Sequence, residues 1–400
     1  MGQQSIRRIT PTGRETMESE ALVYCEGEFG KIDGKVANGL ARHSEKYKIL
    51  GIIDSTKAGL DAGEFLDGAR NGVPIFRTSE EAIESLGFVP KYFIYGIAAI
   101  MAFLDHHDRG VIFAAMKKGM NIINGLPEFF TEDEEFIQKA DEYGVQIHDM
   151  RKAPLRKHLH NYSGRIHEVA TPIITVLGTD CAVGKRTTAV VLVEALQQAG
   201  LNTVFIATGQ TGLLQGAKYG VAVDVLSSGF ASGEVENAIV TADEQERPDI
   251  IVVEGQGALS HPAYTSSHAI VRGSVPDAVI LQHPPRRVNH CDYPDLPMPT
   301  LESEIELIEV FAQTQVIAIT INHEDMTDGE VEDTIEAYEA RYGLPTTDVL
   351  KFGGDKLVET LFEVFPRLAN KTVRTVGTVG TVGTVGTVGT VSTVSTVSTC

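Results

Sequence analysis

Cysteine is scarce in this chain. Four occur in 400 residues (Cys25, Cys181, Cys291 and Cys400), with no CxxC pair among them. That spacing excludes a disulfide framework and fits free thiols in a reducing cytosol. Basic residues are outnumbered, 34 Lys and Arg against 54 Asp and Glu, for a formal charge of −20. With no basic stripe to neutralise phosphates, a nucleic-acid partner is not expected. Long apolar runs are also missing. The longest, Ile97 to Leu104, is halted by Asp105, well short of the roughly eighteen residues a membrane span needs. The N-terminus is polar and has no signal-peptide core. These absences leave the expectation of a cytoplasmic globular protein with no membrane partner, acting on a small molecule and assembling as a homo-oligomer. Its length suggests two or three domains.

The chain is organised around Ile174 to Leu196, ITVLGTDCAVGKRTTAVVLVEAL. Ile173, Ile174, Val176 and Leu177 form an apolar strand pattern. A loop from Gly178 to Gly184 follows, then Lys185. A helix opens next, with apolar residues at Ala189, Val190, Val193 and Leu196 on one 3.6-period face. Strand, glycine loop, lysine and helix make an anion site, because loop amides and a helix N-terminus converge on one point. The expected cofactor contacts are Gly178, Thr179, Ala182, Val183, Gly184, Lys185, Arg186, Thr187 and Thr188. The loop is one residue longer than G-x-x-x-x-G-K-[ST] allows. Arg186 stands where a magnesium-binding hydroxyl is usual, with Thr187 and Thr188 after it. The anion site survives and Arg186 strengthens it, while the magnesium ligand is displaced.

Elsewhere strands alternate with helices. The pattern predicts strands at Ala21–Tyr24, Tyr47–Ile53, Pro74–Phe76, Tyr92–Ile97, Asn121–Asn124 and Val145–His148, with helices between them. The fold class is α/β: an N-terminal Rossmann-like parallel-sheet domain and a C-terminal P-loop NTPase-like domain. The expected divisions are 1–18, loose; 19–150, Rossmann-like; 151–170, a basic linker; 171–371, the P-loop domain; and 372–400, a TVG/TVS repeat with no core-forming pattern. In the first domain Gly27, Gly30 and Gly34 give GxxGxxxG, a broken dinucleotide fingerprint. Asp54 ends the second strand, where a ribose-binding acid would sit; a tight turn is the favoured reading. In the second, residues 208–224 and the proline-rich 283–299 are expected to be irregular functional loops. Glu254 closes an apolar strand, Ile250–Val253. The pattern also predicts a last strand at Asp348–Phe352 and a closing helix, Gly354–Ala369.

GTDCAVGK and VEGQG resemble the two motifs of dethiobiotin synthetase. Over most of its length the chain is more similar to the D-glutamate N-acetyltransferase-like family of P-loop proteins. GTDCAVGKRTTA, ATGQTG, VVEGQGALSHPAY, PDAVILQHPPR and the LESEI helix carry that resemblance, as does NIINGLPEFF in the first domain. It implies acetyl transfer from acetyl-CoA to the amine of a D-amino acid. The residues suit this chemistry, because CoA carries phosphates for the loop and a protonated amine needs a base. Glu254 and His261 are the candidate bases, and Asp180 is a candidate for the substrate ammonium. Backbone amides of Gly255 to Gly257, or Lys185, are oxyanion donors. Gln256, Arg286 and Arg287 are candidates for the substrate, the two arginines for a carboxylate. Cys181 is read as a small loop residue rather than a nucleophile. No metal site is expected: His158, His160 and His167 lack a metal spacing, as do His283, His290, Cys291 and Asp292. The alternatives are an ATP- and magnesium-dependent kinase or ligase of the dethiobiotin synthetase type, and a non-catalytic CoA- or nucleotide-binding regulator.

Overall fold

Strands apolar on both faces, separated by amphipathic helices, are satisfied when parallel strands are covered on each side. The computed structural model describes residues 19–98 and 104–371 and contains two such sheets. Expectations for the first 18 residues, for the repeat tail and for most of the Ile97–Leu104 run lie outside the described residues. The first sheet contains β1 (Ser19–Tyr24), β2 (Tyr47–Ile53), β3 (Ile75–Phe76), β4 (Tyr92–Tyr95), β5 (Asn121–Asn124) and β6 (Ile147–Asp149). Their order is β3-β2-β1-β4-β5-β6, all parallel, which is the doubly wound Rossmann arrangement.

The second sheet is built from β7 (Ile173–Gly178), β8 (Thr203–Ala207), β9 (Tyr219–Gly220), β10 (Ile250–Glu254) and β11 (Ala278–His283). After a separate hairpin, β12 (Asn289–His290) and β13 (Tyr293–Pro297), it adds β14 (Val316–Ile321) and β15 (Thr346–Thr347). The order is β15-β14-β11-β7-β10-β8-β9, again parallel. Every residue of β7, β10, β11 and β14 is buried. Because β7 lies between β10 and β11, the segments leaving those strands flank the phosphate loop.

Three segments differ from the sequence-based expectation. Residues 349–352 are helical rather than a strand, because the Asp348 carboxylate accepts from the amides of Leu350 and Lys351 and starts a turn. The strand there is the short β15 just before it. The glycine-rich 208–224 segment holds a helix, Gln210–Gln215, and β9. Gly212 permits that helix to pack, since a Cβ there would lie 2.8 Å from both the Ala207 Cβ and the Glu254 carboxylate. The proline-rich 283–299 segment folds into the β12–β13 hairpin. The closing helix is interrupted at Phe365, just before Pro366, and resumes over residues 366–371.

The basic island is a docked connector. Glu236, on the helix Ser228–Glu246, accepts from the amides of Ser163 and Ile166 and from the Ser163 hydroxyl. The domains meet where Gln210–Gln215 packs on the first-domain helix Lys35–Arg42. Leu214 is fully buried in the first domain's core with Val36, Ala37 and Leu40. Gln215 donates from Nε2 to the carbonyls of Gly39 and His43, both at 2.8 Å. Among the described residues, no helix is long and apolar enough to cross a membrane.

Candidate active site around the phosphate loop

Backbone conformation builds the loop. Gly184 has φ +106°, a value favouring glycine, and a Cβ on Gly178 would lie 2.9 Å from the side chains of Val183 and Lys185. The helix Lys185–Gln198 has no side-chain cap and no acid in its first turn. Its leading amides are therefore open to an anion. Lys185 is buried and donates from Nζ to the Asp180 carbonyl. Burial holds its pKa below the ordinary lysine range.

Asp180 locks the loop to the segment beyond β11. Its fully buried carboxylate accepts from His290 Nδ1 at 2.7 Å, the Cys291 amide at 2.8 Å and Arg287 Nη1 at 3.0 Å. Burial alone would raise its pKa, but the hydrogen bonds from His290, Cys291, the Cys181 amide and Arg287 outweigh burial and lower it. Arg287 also forks onto Glu324, with Nε–Oε1 2.8 Å and Nη2–Oε2 2.7 Å, and reaches the Cys181 carbonyl. Its guanidinium staples the loop. Arg286 is exposed and pairs with Glu330, which caps the helix Asp328–Tyr342. The two arginines expected at a substrate carboxylate thus have other partners, and Asp180 is occupied by the loop clamp.

Thr179 pairs through its hydroxyl with His283 Nδ1 at 2.8 Å. Thr188 donates to Gln282 Oε1, which also receives the Thr320 hydroxyl. Val183 is buried with its carbonyl bound by Asn322, while Ala182 and Thr187 are half-buried. Arg186 points away from the loop, donating from Nη1 to Gln215 Oε1 at the domain seam.

Glu254, at the end of β10, is 5% exposed and accepts from the Thr208 amide at 3.0 Å. Burial raises its pKa to about 6, opposed by Arg186, the amides of Thr208 and Gly209, and Lys185. Arg186, from the domain seam, and Lys185, from the loop, thus both act on this carboxyl. Gln256 donates to the Thr208 hydroxyl at 3.1 Å.

His261 is buried, stacks on Tyr264 at 4.5 Å and meets His290 edge-on at 4.4 Å. Its Nδ1 accepts from the amides of Ala263 and Tyr264, at 3.1 and 3.3 Å. In the neutral ring those bonds assign the proton to Nε2, which has no hydrogen-bond partner and lies 3.7 Å from Asp180. Burial, then His290, pushes its pKa down. This ring offers a donor to its surroundings, so of the two candidate bases Glu254 has the better chemistry.

The ligand atoms of Asp180, Cys181 and His261 lie within 4.8 Å of one another. A metal-binding histidine normally donates its other N–H outward. His261 instead accepts at Nδ1, so binding a cation at Nε2 would require stripping the ring of its only proton. Burial pushes the Cys181 thiol up to about 11, which disfavours its thiolate.

In the first domain Asp54 turns inward. It accepts from the Thr56 amide at 3.0 Å, the Thr56 hydroxyl at 2.6 Å, Lys57 at 2.9 Å and the Phe29 amide at 3.3 Å. It shapes a turn rather than facing a ribose.

Sequence patterns did not single out Thr208, Gln215, Gln282 or Glu324, nor the clamp role of His290. Thr208, Gln282 and Glu324 all lie at or just beyond the C-terminal ends of parallel strands, and that placement is the available signal.

Residues 160–358 match the P-loop domain of the domain-of-unknown-function family DUF1611, and residues 55–153 match its Rossmann-like N-terminal domain. A curated D-glutamate N-acetyltransferase from Pseudoalteromonas sp. is 30% identical over 277 residues, 68% of this chain and 81% of that protein. Another of that name, from Tritonibacter scottomollicae, is 29% identical over 280 residues, 68% of this chain and 82% of that protein. The crystal structure of a DUF1611 family protein from Anabaena variabilis ATCC 29413 is similar with a TM-score of 0.79 and 29% identity, covering 86% of this chain and 99% of that one.

Proposed function

The chain belongs to the DUF1611 family, and on that premise we propose that it is an acetyl-CoA-dependent N-acetyltransferase acting on a D-amino acid such as D-glutamate. Two relatives carry that activity in their names. The observation that carries the reading is the pairing of an anion cradle with a perturbed carboxyl. Uncapped amides and Lys185 form the cradle, and Glu254, with a pKa of about 6, lies within electrostatic reach of Lys185. The cradle suits the phosphates of CoA. Arg186 replaces the usual magnesium-binding hydroxyl, and Thr188 is committed to Gln282. Those two features favour a phosphate ligand that is not cleaved at phosphorus.

In this mechanism the loop amides and Lys185 bind and orient the acyl donor. Ionised Glu254 takes one proton from the substrate ammonium. The free amine forms a C–N bond to the acetyl carbon as the C–S bond breaks. The second amine proton that must leave goes to the departing thiolate, and Glu254 returns its own proton to solvent. Lys185 and the amides of Gly255 to Gly257 are the candidate donors to the developing oxyanion.

The test mixes the purified full-length protein with acetyl-CoA and a panel of D- and L-amino acids, and measures free thiol. Release with a D-amino acid is expected, and no release with any of them overturns the reading. Lys185→Ala removes a charged donor worth roughly 1.5–3 kcal/mol. Titration calorimetry should show CoA binding weakened about ten- to hundredfold.

A further inference from the structure

Four cations surround or adjoin the loop, and Arg186 is the least committed. Arg287 is forked onto Glu324 and tied to Asp180, Arg286 is paired with Glu330, and Lys185 is bound to the loop carbonyl. Arg186 gives Nη1 to a neutral acceptor, Gln215 Oε1. Among the described residues no carboxylate oxygen comes within 4.0 Å of its guanidinium. A guanidinium has five N–H donors, so most of its capacity is unspent, and the side chain is only half-buried.

Two neighbours define its setting. The first-domain helix presses against it: a Cβ on Gly39 would lie 2.6 Å from Nη2 and 2.9 Å from Cζ. Glu254 acts on it electrostatically, yet the two do not close to an ion pair. Like Glu254, which a Cβ on Gly212 would crowd at 2.8 Å, the guanidinium faces a glycine where any other residue would intrude. Gly212, which abuts Glu254, and Gln215, which holds Arg186, lie three residues apart on the helix Gln210–Gln215, so a cation and an anion of the protein meet the same stretch of one helix at the domain seam without pairing.

We propose that this unpaired couple receives the head group of the amino-acid acceptor, with its α-carboxylate on Arg186 and its amine at Glu254. An α-amino acid carries a carboxylate and an ammonium on one carbon, so it complements a guanidinium and a carboxylate held close but unpaired. The inference rests on the acetyl-transfer reading and deepens it. The second domain supplies the charges, and Gly39 of the first turns the guanidinium away from the phosphate cradle. The Rossmann-like half thereby acquires a part in substrate recognition.

Steady-state kinetics on the full chain with D-glutamate and 4-aminobutyrate, which lacks the α-carboxylate, provide the test. The wild type should favour D-glutamate. R186Q should raise the KM for D-glutamate about ten- to hundredfold, leave the KM for acetyl-CoA unchanged and erase the preference over 4-aminobutyrate. An equal rise in the acetyl-CoA KM would place Arg186 in the phosphate cradle, and an unmoved D-glutamate KM would make it a structural seam residue; either overturns the proposal. If R186Q does not fold, G39A takes its place. It keeps the charge but displaces the guanidinium, and it should raise the D-glutamate KM alone. If the wild type releases no thiol at all, calorimetry with D-glutamate on wild type and R186Q decides separately. Binding lost in R186Q keeps the inference while the acetyl-transfer reading falls. Equal binding, or no binding to either protein, overturns the inference.

Discussion

The two sheets share an architecture and differ in what stands at their strand ends. In the first domain the acids there are saturated, although His148 Nε2 in β6 is buried without a partner. Asp54 takes donors from Phe29, Thr56 and Lys57, and Asp108 receives the hydroxyls of Tyr24 at 2.9 Å and Tyr95 at 2.5 Å. In the second domain the corresponding ends hold groups left unfinished. Glu254 is buried with its pKa raised, Arg186 has one neutral partner, and His261 Nε2 has none. Buried polar groups are normally paired, so unpaired ones mark where a fold has given up stability for something else. The first layer closes its acids within the fold, while the second leaves the groups of the candidate site open.

The sharpest way to break this contrast is Glu254→Gln. If Glu254 is the base, kcat/KM should fall about 10²- to 10⁴-fold. The acidic limb of the pH–rate profile, expected near the Glu254 pKa of about 6, should vanish. The same change should stabilise the protein. A carboxyl raised to about 6 in the folded state binds its proton more tightly there than when unfolded, so it costs stability as pH rises through that range. At pH 7 the cost is roughly 2 kcal/mol. Denaturant melts should show that gain for Glu254→Gln at pH 7 and its loss near pH 4.

Asp54→Asn probes the saturated half. Burial would raise the Asp54 pKa, but Thr56 and Lys57 outweigh it and lower it. The carboxylate therefore stabilises the fold above the ordinary carboxylate range, and that contribution disappears as pH falls through its depressed pKa. The variant should lose about 1–3 kcal/mol at neutral pH, with kcat and both KM values intact. The smallest effect is expected of Arg286→Ala. Its partner is an exposed carboxylate, so the pair is worth about 0–1 kcal/mol. A large loss of acceptor binding in Arg286→Ala, with Arg186 variants silent, would reverse the assignment of the substrate carboxylate.

How much of this was legible in the sequence depends on the range of the interaction. The parallel sheets follow from local apolar patterning, as in Ile250–Val253 and Val316–Ile321. The phosphate loop follows from glycine spacing and the helix after it. The loop clamp does not, because Asp180 meets His290 and Arg287 across more than a hundred residues. Arg286 and Arg287 look alike in sequence, yet one faces solvent and the other is 8% exposed against Asp180 and Glu324. Arg186 looked like a phosphate ligand because its neighbour Lys185 is one. Along a helix, however, adjacent residues face different directions, and the seam determined which way it turned. Residues 208–224 read as a loop because their few apolar positions are split: Leu214 is completed by the other domain, while Tyr219 and Val223 pack in their own.

That last segment bears on how the molecule is made. Leu214 belongs by sequence to the second domain and by packing to the core of the first, with Val36 and Leu40. A ribosome delivers the N-terminal half first. Until residue 214 has emerged, that half waits with an open slot in its interior, so its maturation is tied to synthesis of its neighbour. Severing the chain in the linker should leave the first piece with a cavity costing about 2–5 kcal/mol. The boundary along the sequence and the boundary in the folded protein are displaced from one another by one helix.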